Sequence, residues 1–329
     1  MATDAQTTAG MMGATAEVGV TGARGFIGSQ LVRHLVERGH HVRAFVRAPG
    51  AASGAAPRAA PAASAAPAPG GAPTAGAAPA AGATERRFVL PDGFDERDFA
   101  GLSAIVHCAL VEYGPAHRDA DRVNREGCER LIVTARRQGA RVLFLSTLSA
   151  HEGARSHYGR SKLALEKLFD PARDCVLRLG LVLGSGGLFG SLVGLIRGAR
   201  VIPLPDGGRQ PIQTLWMGDL VRAVENVIDR GITGRYDVAA PDVHAMRDLY
   251  RAVMRGLGVA PRLVNVPIGL VELGAGTLEA LRVPFPIRRE NVLGLRALRA
   301  IDTAGSMNAL GIERPVTLEE SVRRLFAAG

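Results

Sequence analysis

From residue 17 onward, the apolar positions alternate between two periods. Glu17 to Thr21 is short, apolar and bounded by a glycine-rich stretch, which predicts a strand. Ile27, Leu31 and Leu35, with Val32 and Val36 alongside, then repeat at helical spacing, and Gly39 supplies a stop. His41 to Arg47 alternates around Val42, Ala44 and Val46, predicting a second strand. Strand, helix and strand in so short a span make a βαβ unit. The alternation resumes with strands expected at Arg87–Leu90, Ala104–Cys108, Arg141–Ser146 and Cys175–Leu179, and helices at Ala116–Gln138 and His157–Phe169. Short strands alternating with helices predict an α/β fold, a doubly wound parallel sheet of Rossmann type. Beyond about residue 180 the pattern loosens into Gly/Pro-rich turns and several helices, which reads as a smaller C-terminal substrate lobe over 181–329, after a dinucleotide-binding domain over 17–180.

Two stretches do not fit the alternation. Residues 1–16 lack an apolar block and a positive charge, so they read as a disordered tail and not a secretory signal. Residues 48–84 are almost wholly Ala, Pro, Gly, Ser and Thr. Proline and glycine forbid a long helix there, and no large side chain is present to bury, so a disordered insertion is expected. Lengthening a surface loop costs little, so the tract reads as tolerated.

Composition narrows the function. Hydrophobic residues make up 47% of the 329 and charged residues 22%, a globular balance. Outside the Ala/Pro/Gly tract no long uncharged apolar run exists, which excludes a membrane span. The net charge of +9 invites a nucleic-acid reading, but the 38 arginines and two lysines are scattered and form no basic stripe, so no nucleic-acid partner is expected. Cys108, Cys128 and Cys175 are widely spaced, with no zinc pattern and no disulfide framework; no metal and a reducing cytoplasm are expected.

The turn Thr21-Gly22-Ala23-Arg24-Gly25-Phe26-Ile27-Gly28 lies between the first strand and the first helix. Glycines at this spacing let the backbone approach a pyrophosphate, and the helix N-terminus offers unpaired N–H groups to it. NAD enzymes place an acid about 20 residues on, at the ribose hydroxyls. Here Arg47 stands in that place and Arg24 sits inside the turn, so a 2′-phosphate, and hence NADP(H) over NAD(H), is expected.

Tyr158 and Lys162 are four residues apart, on one face of a predicted helix. A cation beside a phenol favours the phenolate and equips tyrosine for proton transfer near neutral pH. Upstream, Ser146, Thr147 and Ser149 end a strand, where hydroxyls reach the ligand-binding edge of such a sheet.

Together these motifs resemble the extended or atypical short-chain dehydrogenases/reductases of the NAD-dependent epimerase/dehydratase group. The resemblance covers most of the chain and adds Asp92 after the third strand, Val106-His107-Cys108-Ala109 at the fourth, Asn124 and Gly127 on the following helix, Arg178 to Gly184, and Met217-Gly218-Asp219-Leu220. It implies that Gly22, Arg24, Gly25, Phe26, Ile27, Gly28, Arg47, Asp92, Cys108, Ala109, Asn124 and Lys162 hold the cofactor. It also implies that Tyr158 exchanges a proton with substrate and that Thr147 or Ser146 orients the substrate oxygen. Lys162 would hold the nicotinamide ribose and lower the Tyr158 pKa. The resemblance further implies a homodimer pairing through the Ala116–Gln138 and His157–Phe169 helices. The expected substrate is a nucleotide-sugar. A segment between Thr147 and Tyr158 shorter than in sugar epimerases keeps open a ketone or aldehyde reductase on a non-sugar substrate. A non-catalytic NADP(H)-binding sensor or assembly protein is the alternative from another class.

Overall fold

The computed structural model describes residues 15–48, 82–113, 118–271 and 289–327. The expected tail and insertion therefore lie largely outside the described residues, although Thr84, placed in the insertion by the sequence pattern, is the first residue of a strand. Strands β1 (Glu17–Thr21), β2 (His41–Val46), β3 (Thr84–Val89), β4 (Gly93–Phe94), β5 (Ala104–His107), β6 (Arg141–Thr147), β7 (Cys175–Leu179) and β12 (Gly234–Val238) form one eight-stranded sheet. Its order is β12-β7-β6-β5-β1-β2-β3-β4, parallel except for β3 against β4.

A parallel sheet buries both faces, so its strands distribute apolar side chains to two cores. On β6, Leu143 and Leu145 enter the core shared with α1 (Phe26–Glu37) and α5 (Met217–Arg230), while Val142 and Phe144 enter the opposite core with α2 (Ala120–Arg137) and α3 (His157–Glu166). Leu31 and Leu35, the periodic positions of α1, are fully buried in the first core.

Beyond Leu179 the chain builds a third core from Leu183, Phe189, Leu192, Ile196, Leu249, Val253, Leu318 and Val322. It includes α4 (Gly187–Gly198), α6 (Met246–Leu257) and the last described helix, Leu318–Phe326. The sheet nevertheless crosses the boundary expected at 180: β12 returns to pair with β7, from Gly234↔Cys175 to Val238↔Leu179, and α5 packs on the sheet. No helix of the described residues is long and apolar enough to cross a membrane.

The strand order reverses between β1 and its neighbours β2 and β5. That reversal is a topological switch point at the carboxyl ends of β1 and β5, and open α/β sheets bind ligands in the crevice at such a point.

Candidate active site

The turn after β1 is built for close approach. Gly22 has φ +67°, and a Cβ there would meet the Ala109 nitrogen at 3.0 Å, so the turn lies directly against the chain leaving β5. A Cβ on Gly28 would sit 2.2 Å from the Gly22 carbonyl oxygen, so the first helical turn can fold under the loop only with glycine there. Gly25 caps α1 with no side-chain cap, which leaves amide donors at the helix start. Phe26 lies against the backbone at Gly184 and Gly187, so this turn also touches the second lobe.

Beside the turn, Thr21 Oγ1 bonds His107 Nδ1 at 2.8 Å and accepts from the backbone N–H groups of Cys108 and Ala109 at 3.2 and 3.1 Å. Burial pushes His107 down to about 3 and the Cys108 thiol up to about 12, so both are uncharged near neutral pH. Buried Asn124 donates to the Val111 carbonyl at 2.9 Å and accepts from its N–H at 2.7 Å, fixing the segment that follows Ala109. Asn124 thus acts on the backbone at the crevice.

The two arginines differ in surroundings. Arg24 donates through Nε and its guanidinium nitrogen to Glu85 on β3, at 3.1 and 2.7 Å. The sequence pattern sees no acid here, because Glu85 follows a long tract before it returns beside β2, in register with Ala44. Arg47 is exposed at the end of β2. Asp92 is exposed in the turn after β3, two strands away from the glycine turn.

Helix α3 carries the tyrosine–lysine pair to this same sheet edge. Ser156 caps it, accepting from the Gly159 N–H at 3.1 Å. A Cβ on Gly159 would meet the Ser149 carbonyl oxygen at 2.5 Å, so glycine lets the first turn press against the loop leaving β6. Lys162 is buried; its Nζ donates to the Leu145 carbonyl at 2.8 Å and lies 4.5 Å over the Phe144 ring. Burial pushes it down to about 8, against the opposing pull of Cys128, Cys108 and Glu166.

The spacing argument expects Lys162 to lower the Tyr158 phenol. Instead, desolvation and the neighbouring Tyr113 push it up to about 12. The lysine charge is turned toward the strand carbonyl, which explains the difference. Tyr113 packs edge-on against Tyr158, with ring centroids 6.3 Å apart, and nothing in the sequence pattern signals this contact.

The three hydroxyls also separate. Ser146 is buried and donates to Glu166 at 2.5 Å, which turns it away from the crevice. Thr147 is half-buried, and its Oγ1 accepts from the Ser149 N–H at 3.2 Å. Glu166 also escapes the sequence motifs; its place one turn beyond Lys162 is the only signal it gives.

A glycine turn at the switch point, beside a tyrosine–lysine helix, defines a dinucleotide-binding α/β protein. Its match to the NAD-dependent epimerase/dehydratase family model runs over residues 18–239, and the chain belongs to that family. Among curated relatives, a ceramide reductase of Caulobacter vibrioides is 25% identical over 271 residues, 78% of this chain and 76% of that protein. Among solved structures, the UDP-glucose 4-epimerase of Thermotoga maritima with UDP-glucose superposes at a TM-score of 0.67 with 17% identity, covering 94% of this chain and 97% of that one. The Bordetella bronchiseptica enzyme WbmG in complex with NAD gives a TM-score of 0.66 with 18% identity over 96% and 94%.

Proposed function

We propose that the protein is an enzyme that moves a hydride between NADP(H) and a carbinol or carbonyl carbon. One observation carries this reading: the Gly22–Gly28 turn and the Tyr158/Lys162 helix lie at one edge of the same sheet, on either side of the β1–β5 crevice. The glycines let the turn fold tightly against its own backbone and the chain after β5, and the start of α1, which no side chain caps, offers amide donors to a pyrophosphate, which fits the cofactor to these residues. When bound, the nicotinamide supplies the hydride donor or acceptor.

The chain's own residues then bind, orient and transfer a proton. Gly22, Gly25, Phe26, Ile27 and Gly28 cradle the phosphates. Cys108, Ala109 and the Asn124-pinned backbone wall the crevice, Asp92 serves the adenine, Arg47 with Arg24 the 2′-phosphate, and Lys162 the ribose. Tyr158 keeps its proton through the neutral range and delivers it to the substrate oxygen during reduction. Thr147 orients that oxygen, since Ser146 is committed to Glu166.

Two substrate readings have separate support. Family membership and the UDP-glucose held by the Thermotoga neighbour favour a nucleotide-sugar. The reductase among the curated relatives, with the short segment from Thr147 to Tyr158, favours a non-sugar ketone or aldehyde. Incubation of NADPH with a ketone or aldehyde, and of NADP+ with a nucleotide-sugar, separates them: a reductase consumes NADPH stoichiometrically with the carbonyl, and an epimerase inverts the sugar while its cofactor ends as it began. The free thiols suit a reducing cytoplasm. A homodimer through α2 and α3 completes the reading and rests on the family resemblance.

A further inference from the structure

Behind the tyrosine–lysine helix lies a buried ionic group that the proposed chemistry leaves unused. Glu166 is wholly buried, one turn beyond Lys162 on the same face of α3. It accepts from Ser146 Oγ at 2.5 Å. It also takes a forked pair from Arg178, whose Nε lies 3.0 Å from each carboxylate oxygen and whose terminal nitrogen lies 2.7 Å from Oε2. Arg235 adds a second cation at 3.4 Å. Ser146 and Arg178 are register partners on β6 and β7, so one carboxylate joins both strand ends to α3. A buried charge with these partners is strongly fixed in place, because removing any of them strands the others.

We propose that Glu166 is a positioning residue for the proton-transfer pair. It locks the helix carrying Tyr158 and Lys162 to the end of β6, and its negative charge holds Lys162 as an ammonium. The proposal rests on the functional reading of that pair. The groups around Lys162 support it. From β6 come the Leu145 carbonyl and the Phe144 ring, from the end of β5 His107 and from the residue after it Cys108, from α2 Cys128, and from α3 itself Glu166, with Tyr158 one turn earlier on the same helix. Burial leaves His107 neutral, at about 3, and keeps both thiols and the Tyr158 phenol protonated, at about 12. Among these groups Glu166 is the one carboxylate, ion-paired with Arg178 and one helical turn from Lys162.

The chain's two lysines, Lys162 and Lys167, make the test direct. Full-length protein labelled with 13C at lysine Cε is titrated by NMR, and NADPH affinity is measured by fluorescence. Wild-type Lys162 is expected to titrate near 8. In Glu166→Gln the titration should fall by about one pH unit. NADPH binding should then weaken about fivefold at pH 8 and little at pH 6.5, where the lysine stays charged. Glu166→Asp should restore most of the affinity. A folded Glu166→Gln protein with the wild-type lysine titration overturns the proposal. Should that variant not fold, Glu166→Asp decides: a titration lowered by a few tenths of a unit supports the coupling, and an unchanged one overturns it. A shifted lysine in a protein that binds no NADPH overturns the functional reading and leaves the coupling standing.

Discussion

At the residue scale, the proposed preference for NADP(H) turns on three side chains. Arg47 is open to a 2′-phosphate, whereas Arg24 reaches one only in competition with Glu85. Arg47→Ala should therefore cut the preference for NADPH over NADH about tenfold, the loss of a charge-assisted contact. Glu85→Gln should raise NADPH affinity about threefold by freeing Arg24. Fluorescence titration with both cofactors reads both effects, and an unchanged ratio in Arg47→Ala contradicts the argument. The arginines and the glycine spacing are legible in the sequence because they are local. Glu85 is not, since its partner lies 61 residues away. His107 gives a pH-dependent prediction. Folded, it titrates at about 3; unfolded, near its ordinary value of about 6.5. Below that ordinary value the unfolded chain takes the proton first, so stability falls as pH drops from about 6.5 toward 3. Urea midpoints at pH 7 and 5 should show a fall about 2 kcal/mol larger in wild type than in His107→Gln. Equal falls would remove the argument.

At the element scale, the elements are read correctly and some of their ends are not. Strands β1 and β7 match the expected bounds, but β3 begins at Thr84 and not at Arg87, and α2 is described from Ala120, the expected start at Ala116 lying outside the described residues. Thr84-Glu85-Arg86-Arg87 looks polar because β3 is flanked only by β2 and the two-residue β4, so its first residues meet water on one side. Ser146 shows the same limit at a site residue: strand alternation places its hydroxyl with Phe144, on the α3 side, and only the position of Glu166 explains its partner. Because β2 and β3 run parallel from Arg43↔Thr84 to Val46↔Arg87, the tract between them must cross back along the sheet, which takes about a dozen residues and leaves the rest of the tract surplus. Replacing residues 49–81 with a Gly/Ser linker of about 15 residues should leave the thermal midpoint and NADPH affinity within about twofold of wild type. Aggregation or lost binding in that shortened protein would show the tract to be structural.

At the scale of the whole molecule, the sheet is completed from both halves of the sequence. The strand Gly234–Val238 has an ordinary pattern, and nothing local announces that it returns to β7 across a long connection. The dimer reading is tested at this scale too. The open face of α2 carries Arg122 paired with Glu126 and Arg125 with Glu129, with Val133 as its exposed large apolar residue. An interface there would be more polar than that of most obligate dimers. Light scattering at micromolar concentration should give twice the 34.5 kDa chain mass, and a single-chain mass contradicts the pairing. The central claim, hydride transfer served by Tyr158, is tested most directly by following deuterium from NADPH labelled at nicotinamide C4. Wild-type protein is incubated with the labelled cofactor and with a keto-nucleotide-sugar or a long-chain ketone. Deuterium should appear on the product carbon, and Tyr158→Phe should bind NADPH normally while losing about a hundredfold or more of the transfer rate. Equal transfer by Tyr158→Phe, or cofactor binding with no labelled product from either substrate class, would contradict it.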